Sequence, residues 1–358
     1  MRFVFKTRYD QDLQIFKHGL SAAWYMALLA FLLIAPWVLP DYYRTQLVFI
    51  YIYSIVGFGL MLLSGFTGQI SMGHAAFLAI GAYTEAILQA KGFPFLVSAP
   101  IAVLLAGAAG VIIGLPALRL TGIYLAIATL AFGFIVEEIL ARWESVTHGN
   151  SGLLVSQPKL LFDKIESDAG FYYLCMVCAI IAGFAVFNLL RSHTGRAFIA
   201  IRDSEVSAQS MGVNLSRYKT LSFALSAAIT GLAGALYAHQ IRFLSPEQFT
   251  IAMSIEFLMM IVIGGMGSLH GAVFGAIFVI GLPELISVAK DYLPQGMAEQ
   301  TGLKGTLFGV IMVMIVLFEP QGIYGRWIKI RTYFSLFPLY KRGMFMRQKS
   351  YQKSERVH

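Results

Sequence analysis

The chain has 358 residues, of which 58% are hydrophobic and 13% are charged, and its mean hydropathy is +0.70. Soluble domains usually carry about 25% charged residues, so this composition excludes a water-soluble globular protein and indicates an integral membrane protein. The formal net charge of +8 does not indicate a nucleic-acid-binding protein, because the basic residues lie mainly in the two tails and one central loop, between apolar stretches.

Ten apolar stretches follow one another along the chain, most of them close to the roughly 20 residues that a membrane-spanning helix needs. They cover residues 20–39, 46–63, 70–89, 95–114, 122–140, 171–190, 218–240, 251–265, 269–289 and 303–318. Because a helix satisfies its backbone hydrogen bonds internally, these stretches predict an all-α, polytopic transmembrane helix bundle of about ten helices. The eighth stretch is short and ends in glycines.

The distribution of basic residues predicts how the chain is oriented. The segment 1–19, the loop 191–217 and the tail 321–358 are rich in Lys and Arg. The positive-inside rule places all three, and with them both termini, in the cytoplasm, and leaves residues 20–320 as the transmembrane domain. The first apolar stretch is about as long as a full span and no small-residue cleavage site follows it, so we expect it to remain as an anchor.

Two glycine-broken segments, "SGFTGQISMGH" and "IGGMGSLHG", interrupt the apolar pattern, and each precedes a similar run, "HAAFLAI" or "HGAVFGA". Small residues let helix backbones approach closely, and irregular backbone at this depth also suits the lining of a cavity. Both interpretations stay open. The candidates for a solute path are Gly68, Gln69, Ser71, Gly73, His74, Glu256, Gly264, Gly265, Gly267 and Ser268.

Ionisable side chains inside apolar stretches are candidates for a functional site, because a charge is unfavourable in hydrocarbon. They are His74, Glu85, Glu137, Glu138, Glu256 and Glu284. Each also has a structural interpretation. Glu138 precedes Arg142 by four residues and can form an ion pair with it. The other four glutamates lie toward the outer ends of their stretches, where side chains can reach water.

The chain shows no pattern typical of an enzyme. Cys175 and Cys178 lie inside an apolar run, where packing explains them better than redox or metal chemistry. The polar residues form no metal cluster and no set of nucleophile and base, so we expect no metal and no cofactor. The sequence also lacks the phosphate-binding G-x-x-x-x-G-K-[ST] loop, so any use of ATP requires another subunit.

The central loop "RSHTGRAFIAIRDSEVSAQSMGVNLSRYK" predicts a short helix. Asp203 or Ser204 can cap its start, Glu205 favours the first turn, and Gly212 is placed to end it. The helix is either simply solvated or docks on a cytoplasmic partner.

Five segments stand in this order along the chain: "LSGFTGQISMGHAAFLAIGAY", "LTGIYLAIATLAFGFI", "VTHGNSGL", "TGRAFIAIRDSEVSAQSMGVNLSRYKTLSFALSAAITGLAGALYA" and "IGGMGSLHGAVFGA". Together they resemble the LivM-type permease family of branched-chain amino acid ABC importers. The resemblance extends over most of the chain and implies a fold like that of type II ABC importer permeases. It also implies that the central loop is a coupling loop with Glu205, Ala208 and Gly212 at its core and with Arg202, Asp203 and Arg217 around it. His148 departs from the family pattern, in which a glycine is expected.

The resemblance further implies an assembly in the cytoplasmic (inner) membrane of a bacterium. Its partners would be a LivH-like second permease, two ABC ATPase subunits, a periplasmic or lipid-anchored solute-binding protein and membrane lipid. The expected function is translocation of branched-chain amino acids or a similar small solute. A urea or amide ABC permease of the same scaffold is the close alternative. An ion-gradient-driven secondary transporter, favoured by the intramembrane acids, and a passive channel are the alternatives from other classes.

Overall fold

The computed structural model describes residues 19–118, 120, 122–159, 167–290, 303–319 and 321–336. The first half contains α1 (Gly19–Val38), α2 (Asp41–Leu60), which continues into a π-helical turn (Met61–Phe66), α3 (His74–Ala90), α4 (Phe95–Ala117), α5 (Ile123–Arg142) and the short α6 (Glu144–Thr147). The predicted all-α fold is confirmed for these residues. Residues 1–18 of the predicted N-terminal segment and 337–358 of the predicted tail lie outside the described part.

The described part of the second half contains two short helices in the central loop and six longer ones. They are α7 (Asp168–Arg191), α8 (His193–Asp203), α9 (Glu205–Ser210), α10 (Leu215–Ile241), α11 (Ile251–Gly264), α12 (Leu269–Lys290), α13 (Leu303–Phe318) and α14 (Gly322–Leu336). Two short antiparallel strands, β1 (Leu153–Leu154) and β2 (Phe243–Leu244), pair with each other and so connect the two halves of the chain. The helices α8 and α14 fall in regions that the sequence analysis treated as loop and tail.

The predicted count of ten spans is not confirmed. Among the described residues, seven helices are long and apolar enough to cross a membrane, or eight if the bent pair α13 and α14 forms one span. Each predicted stretch contains a helix, but α1 offers only Ala22–Val38 as an apolar helix and α3 has 17 residues. Helix α3 is short because Ile70 to Gly73, predicted as its first turn, are irregular.

Helix α10 lies at the centre of the bundle and packs against α3 and α4 through glycines. A Cβ atom on Gly234 would overlap the carbonyl oxygen of Leu78 in α3, and one on Gly231 would lie 2.5 Å from the Cβ of Ala106 in α4. A Cβ atom on Gly81 of α3 would overlap the carbonyl oxygen of Gly231. The predicted close approach of helices at small residues is therefore confirmed.

The glycine-ended helix α11 packs against α12 in the same way. Cβ atoms on Gly264 and Gly275 would overlap the carbonyl oxygens of Gly271 and Met260, respectively. Any larger side chain at either position would push the two helices apart. The second glycine-broken segment, between these helices, is thereby held at one end of a tightly packed helix pair.

Near the C-terminal end of α10, strands β1 and β2 form a small ribbon in which Leu153 pairs with Leu244. Before the ribbon, His148 adopts a left-handed conformation with φ of 58° at the end of α6. Few residues other than glycine adopt such a φ. This backbone geometry explains why a glycine was expected at position 148.

Candidate functional site

The two glycine-broken segments meet at one end of the bundle, in what we call the glycine junction, formed by the π-helical turn Met61–Phe66 and residues 67–73 and 264–268. A Cβ atom on Gly65 would lie 2.9 Å from the backbone nitrogen of Gly267. The same nitrogen donates to the sulfur of Met61 over 3.1 Å. Segments about 200 residues apart in the sequence are thus in direct contact.

The first segment leaves its helix through the π-helical turn, which changes the backbone hydrogen-bond pattern. Thr67 Oγ1 donates to the carbonyl of Leu62 over 2.9 Å, and the backbone nitrogen of Gln69 donates to Leu63 over 3.0 Å. Gly68 has a φ of 76°, which glycine adopts without steric strain. Side chains and backbone therefore satisfy the carbonyl groups that the irregular turn exposes.

The second segment turns between α11 and α12. Gly265 and Gly267 have φ values of 115° and 83°, so a side chain at either position would be strained. Ser268 Oγ accepts a hydrogen bond from the backbone nitrogen of Gly271 over 2.8 Å and so caps the start of α12. Glycine and serine are the residue types that this sharp reversal requires.

Arg202, at the end of α8, joins the two segments. Its Nη1 donates to the carbonyl of Gly65 over 3.2 Å, and its Nη2 lies 3.0 Å from the Asp203 carboxylate. A Cβ atom on Gly68 would lie 3.1 Å from Arg202 Cγ, and one on Gly267 would lie 3.5 Å from Arg202 Nη1. A single cation from the central loop therefore binds the first segment and lies beside Gly267 of the second.

The short helix predicted in the central loop is confirmed as α9. Ser204 is its N-cap and accepts from the backbone nitrogen of Ser207, and Gly212 follows the helix with a φ of 85°. Glu205 forms an ion pair of 2.7 Å with Lys219 of α10, whose side chain is 3% exposed. Ala208 is buried. The helix is thus attached to the transmembrane bundle through Glu205 and Ala208.

The opposite face of this loop is apolar and exposed. Val206 is 80% exposed and Met211 is 86% exposed. Arg202, Asp203, Gly212 and Arg217 are exposed as well. The exposed surface of the loop thus carries two large apolar side chains and several charged ones.

Residues 42–316 match the family described as "Branched-chain amino acid transport system / permease component". The chain belongs to this family. The permease is 34% identical over 297 residues to the high-affinity branched-chain amino acid transport system permease protein LivM of Escherichia coli K12, covering 76% of this chain and 67% of that protein. It is a permease subunit of an ABC importer, and its relatives are transport proteins rather than enzymes.

Two further relatives each align with 76% of this chain. BraD of Pseudomonas aeruginosa is 24% identical over 308 residues, which are 76% of this chain and 92% of that protein. LivH of Salmonella typhimurium is 26% identical over 293 residues, which are 76% of this chain and 91% of that protein. No solved structure matches the permease.

Several predicted path residues lie inside the bundle rather than on its surface. His74 is fully buried, and its ring nitrogens lie 2.9 Å from Ser71 Oγ and 2.8 Å from Ser226 Oγ. Gln69 accepts a hydrogen bond of 3.0 Å from Ser222 of α10. These side chains connect α3 and the broken segment to α10 in this conformation.

The remaining path candidates divide into two groups. A Cβ atom on Gly73 would overlap the carbonyl oxygen of Thr129 in α5, and Gly264 and Gly265 are buried. Gly68 is exposed, and Gly267, Ser268 and Glu256 are partly exposed. The accessible part of the glycine junction is therefore its surface around Gly68 and Gly267, next to Arg202.

The intramembrane acids have different environments. The expectation that Glu85 reaches water is wrong: it is fully buried, accepts from Ser98 Oγ over 2.7 Å and lies 3.1 Å from His239 Nε2. The predicted ion pair between Glu138 and Arg142 is confirmed. Glu137 and Glu256 are partly exposed, and Glu284 accepts hydrogen bonds from Tyr42 and Gln46.

Sequence reasoning missed the contacts that hold the site together. Lys219 was counted only as a basic loop residue, although it lies buried at the start of α10. Ser222 and Ser226 lie three and seven positions after Lys219, on the face of α10 that meets Gln69 and His74. Their helical spacing was the available signal.

The described residues offer no group of three or more metal-ligating side chains. Cys175 is buried in the bundle core and Cys178 is partly buried. Both therefore contribute to packing, as the sequence analysis expected.

Proposed function

We propose that this permease translocates branched-chain amino acids, or a small solute of similar chemistry, across the cytoplasmic membrane of a bacterium. The observation that supports this proposal best is the contact of Arg202 with the first glycine-broken segment, beside Gly267 of the second, because it connects the central loop to irregular backbone inside the bundle. The names of the relatives supply the substrate class: LivM, BraD and LivH are all branched-chain amino acid transport permeases.

The proposed assembly contains two permeases, this chain and a LivH-like subunit, with two ATPase subunits on the cytoplasmic side. A periplasmic or lipid-anchored binding protein delivers the solute on the other side. The solute passes along the accessible surface of the glycine junction around Gly68, Gly267 and Ser268, where the second permease faces this one. Peptide groups and Ser268 Oγ supply hydrogen bonds for a small polar solute along this surface.

The central loop is the proposed docking point for an ATPase subunit. Val206 and Met211 enter an apolar groove of that subunit, and Glu205 and Ala208 keep the loop attached to α10. When the ATPases change conformation, the loop moves as a body. Because Arg202 ends α8 and holds Gly65, this motion reaches the glycine junction and changes the access to the path.

Substitutions at Val206 and Met211 test docking more directly than substitutions at Glu205 or Ala208. Charge reversal at Glu205 would leave the buried Lys219 without its partner, and a bulky residue at position 208 would disturb packing inside the permease. Val206 and Met211 are exposed, so Val206→Asp or Met211→Asp changes the outer face alone. Gly212 has open space around it but a positive φ, so a side chain there strains the turn.

The experiment is uptake by the complete importer reconstituted in vesicles. We expect leucine uptake that requires both ATP and the binding protein. In Val206→Asp, we expect both the uptake and the amount of ATPase subunit bound to the permease to fall by about tenfold or more. Ser210→Asp, on the same exposed loop, is the matched control and should retain both. Uptake driven by a proton or sodium gradient alone would overturn the importer assignment. Uptake of urea in place of leucine would overturn the substrate class.

A further inference from the structure

Helix α14 begins at the glycine junction. It follows α13 after a bend of 49°, and a Cβ atom on Gly322 would lie 2.6 Å from both Cα and the nitrogen of Gly265. The ring of Tyr324 stacks on His270, with centroids 5.5 Å apart and planes 4° apart. Helix α14 therefore extends from the same end of the bundle as α8 and α9.

One face of α14 is apolar and exposed. Trp327, Ile330 and Phe334 follow one another at spacings of three and four residues, so they form a single stripe. Phe334 is 73% exposed, and Trp327 and Ile330 are also exposed. On the other side, Gly322 is buried against Gly265 and Gly325 is buried beside Gln321. The stripe consequently faces away from the described part of the permease.

Arg326 and Arg331 border this stripe on its two sides, and Lys329 lies farther around the helix, four positions after Gly325. Arg326, Lys329 and Arg331 are exposed, and Glu319 is the only carboxylate between residues 319 and 336. Glu319 pairs with Arg326 and lies 3.3 Å from Lys329, so one carboxylate stands against three cations. The long side chains of Arg and Lys can place their charges in the headgroup layer while their stems cover apolar surface.

We propose that α14 lies in the membrane interface as an amphipathic helix that binds anionic phospholipid. Its Trp327–Ile330–Phe334 stripe enters the boundary between headgroups and acyl chains, and Arg326, Lys329 and Arg331 contact lipid phosphates. Two features favour lipid over a protein partner: the helix continues from a bundle that must itself sit in lipid, and its excess positive charge complements an anionic leaflet. Contact with Gly265 ties the position of α14 to the glycine junction.

Depth-dependent quenching tests this inference on the full-length permease. Ile330→Cys, in a background with Cys175→Ala and Cys178→Ala, is labelled with the environment-sensitive fluorophore NBD and reconstituted in vesicles. In phosphatidylcholine containing phosphatidylglycerol, we expect blue-shifted emission and stronger quenching by brominated phosphatidylglycerol than by brominated phosphatidylcholine. The matched control is NBD at Met211→Cys, which is also exposed and apolar, and it should show aqueous emission.

A charge variant separates the two parts of the inference. With Arg326, Lys329 and Arg331 all replaced by Gln, the apolar stripe should remain inserted while the preference for brominated phosphatidylglycerol disappears. Aqueous emission from position 330 in every vesicle would overturn membrane insertion, and equal quenching by both brominated lipids would overturn anionic-lipid binding. If emission from position 330 becomes blue-shifted only when the ATPase subunits are added, the stripe binds a protein partner instead. Because the readout is lipid contact, it is independent of the transport assignment.

Discussion

At the scale of single residues, Arg202 is the side chain that joins the central loop to the glycine junction. It donates to the carbonyl of Gly65 and lies against Gly68 and Gly267. A hydrogen bond from a charged group contributes about 1.5–3 kcal/mol. A neutral side chain would lack the charge of Arg202. A shorter one would not reach all three glycines with the planar geometry of the guanidinium group.

We therefore expect Arg202→Gln to lower ATP-dependent uptake by about tenfold or more, since 1.4 kcal/mol corresponds to a factor of ten. ATP hydrolysis by the assembled importer should persist, because the variant breaks transmission and leaves the Val206–Met211 face intact. The control is Arg196→Gln, an exposed arginine on the same helix α8. If uptake and hydrolysis fall together in Arg202→Gln, the residue supports assembly rather than transmission.

The ion pair of Glu205 and Lys219 makes a second residue-scale prediction. Lys219 is buried while Glu205 is 40% exposed, so removing Glu205 leaves a buried cation without its partner. We expect Glu205→Gln to destabilise the permease by about 1–2 kcal/mol, a value below that of fully buried pairs because solvent reaches the carboxylate.

Thermal unfolding of Glu205→Gln, Lys219→Met and the double variant measures the interaction. In the double variant no buried charge remains, so its loss of stability should be smaller than the sum of the two single losses. Additive losses would show that the pair contributes nothing to holding α9 on α10.

At the scale of elements, glycine contacts between helices decide the position of α10. A Cβ atom on Gly234 would overlap the backbone of α3, whereas one on Gly281 of α12 would meet nothing within 4 Å. We expect Gly234→Ala to lower the stability by about 1–3 kcal/mol, because the helices must separate. Gly281→Ala should change it by less than about 0.5 kcal/mol.

Unfolding of the two variants in the same detergent provides the comparison. Since both substitutions add one methyl group to a helical glycine, they have equal intrinsic effects on the helix backbone. Equal stability of the two proteins would mean that α3 and α10 are not in close contact.

At the scale of the whole molecule, α10 runs from one end of the bundle to the other. Lys219, near its start, meets the central loop, and β2 follows its end. Lys219 and His239 are 20 positions apart, and a helix rises about 1.5 Å per residue, so these ends are about 30 Å apart. That distance matches the hydrocarbon thickness of a membrane. We therefore expect the loop and the β1–β2 ribbon to lie on opposite sides of the membrane.

The orientation prediction follows from this separation. Met211→Cys and Leu154→Cys are matched sites, because their side chains are 86% and 84% exposed. In a background without Cys175 and Cys178, a membrane-impermeant thiol reagent should label Met211→Cys only from the cytoplasmic side and Leu154→Cys only from the other side. The reverse result would invert the topology and place the termini outside, and labelling of both sites from one side would contradict the spanning of α10.

The amino-acid sequence by itself determined the class of this protein. Low charge and long apolar stretches require a helical membrane bundle whatever the packing, because hydrocarbon cannot satisfy backbone polar groups. The cap and stop signals of α9 at Ser204 and Gly212 were also legible, since they act within a few residues. The glycine expected in place of His148 came from the family resemblance, and only the structure shows the positive φ at that position.

Tertiary structure decided the features that depend on distant contacts. Helix α3 is shorter than its predicted span because the packing of Gly73 against Thr129 and the bonds of Gln69 favour irregular backbone before His74. Glu85 is buried because His239, 154 positions away, is its partner. The meeting of Gly65, Arg202 and Gly267 likewise joins residues that no local pattern relates. Hydropathy and capping depend on nearest neighbours, whereas these contacts arise only when helices pack, and so only the folded bundle reveals them.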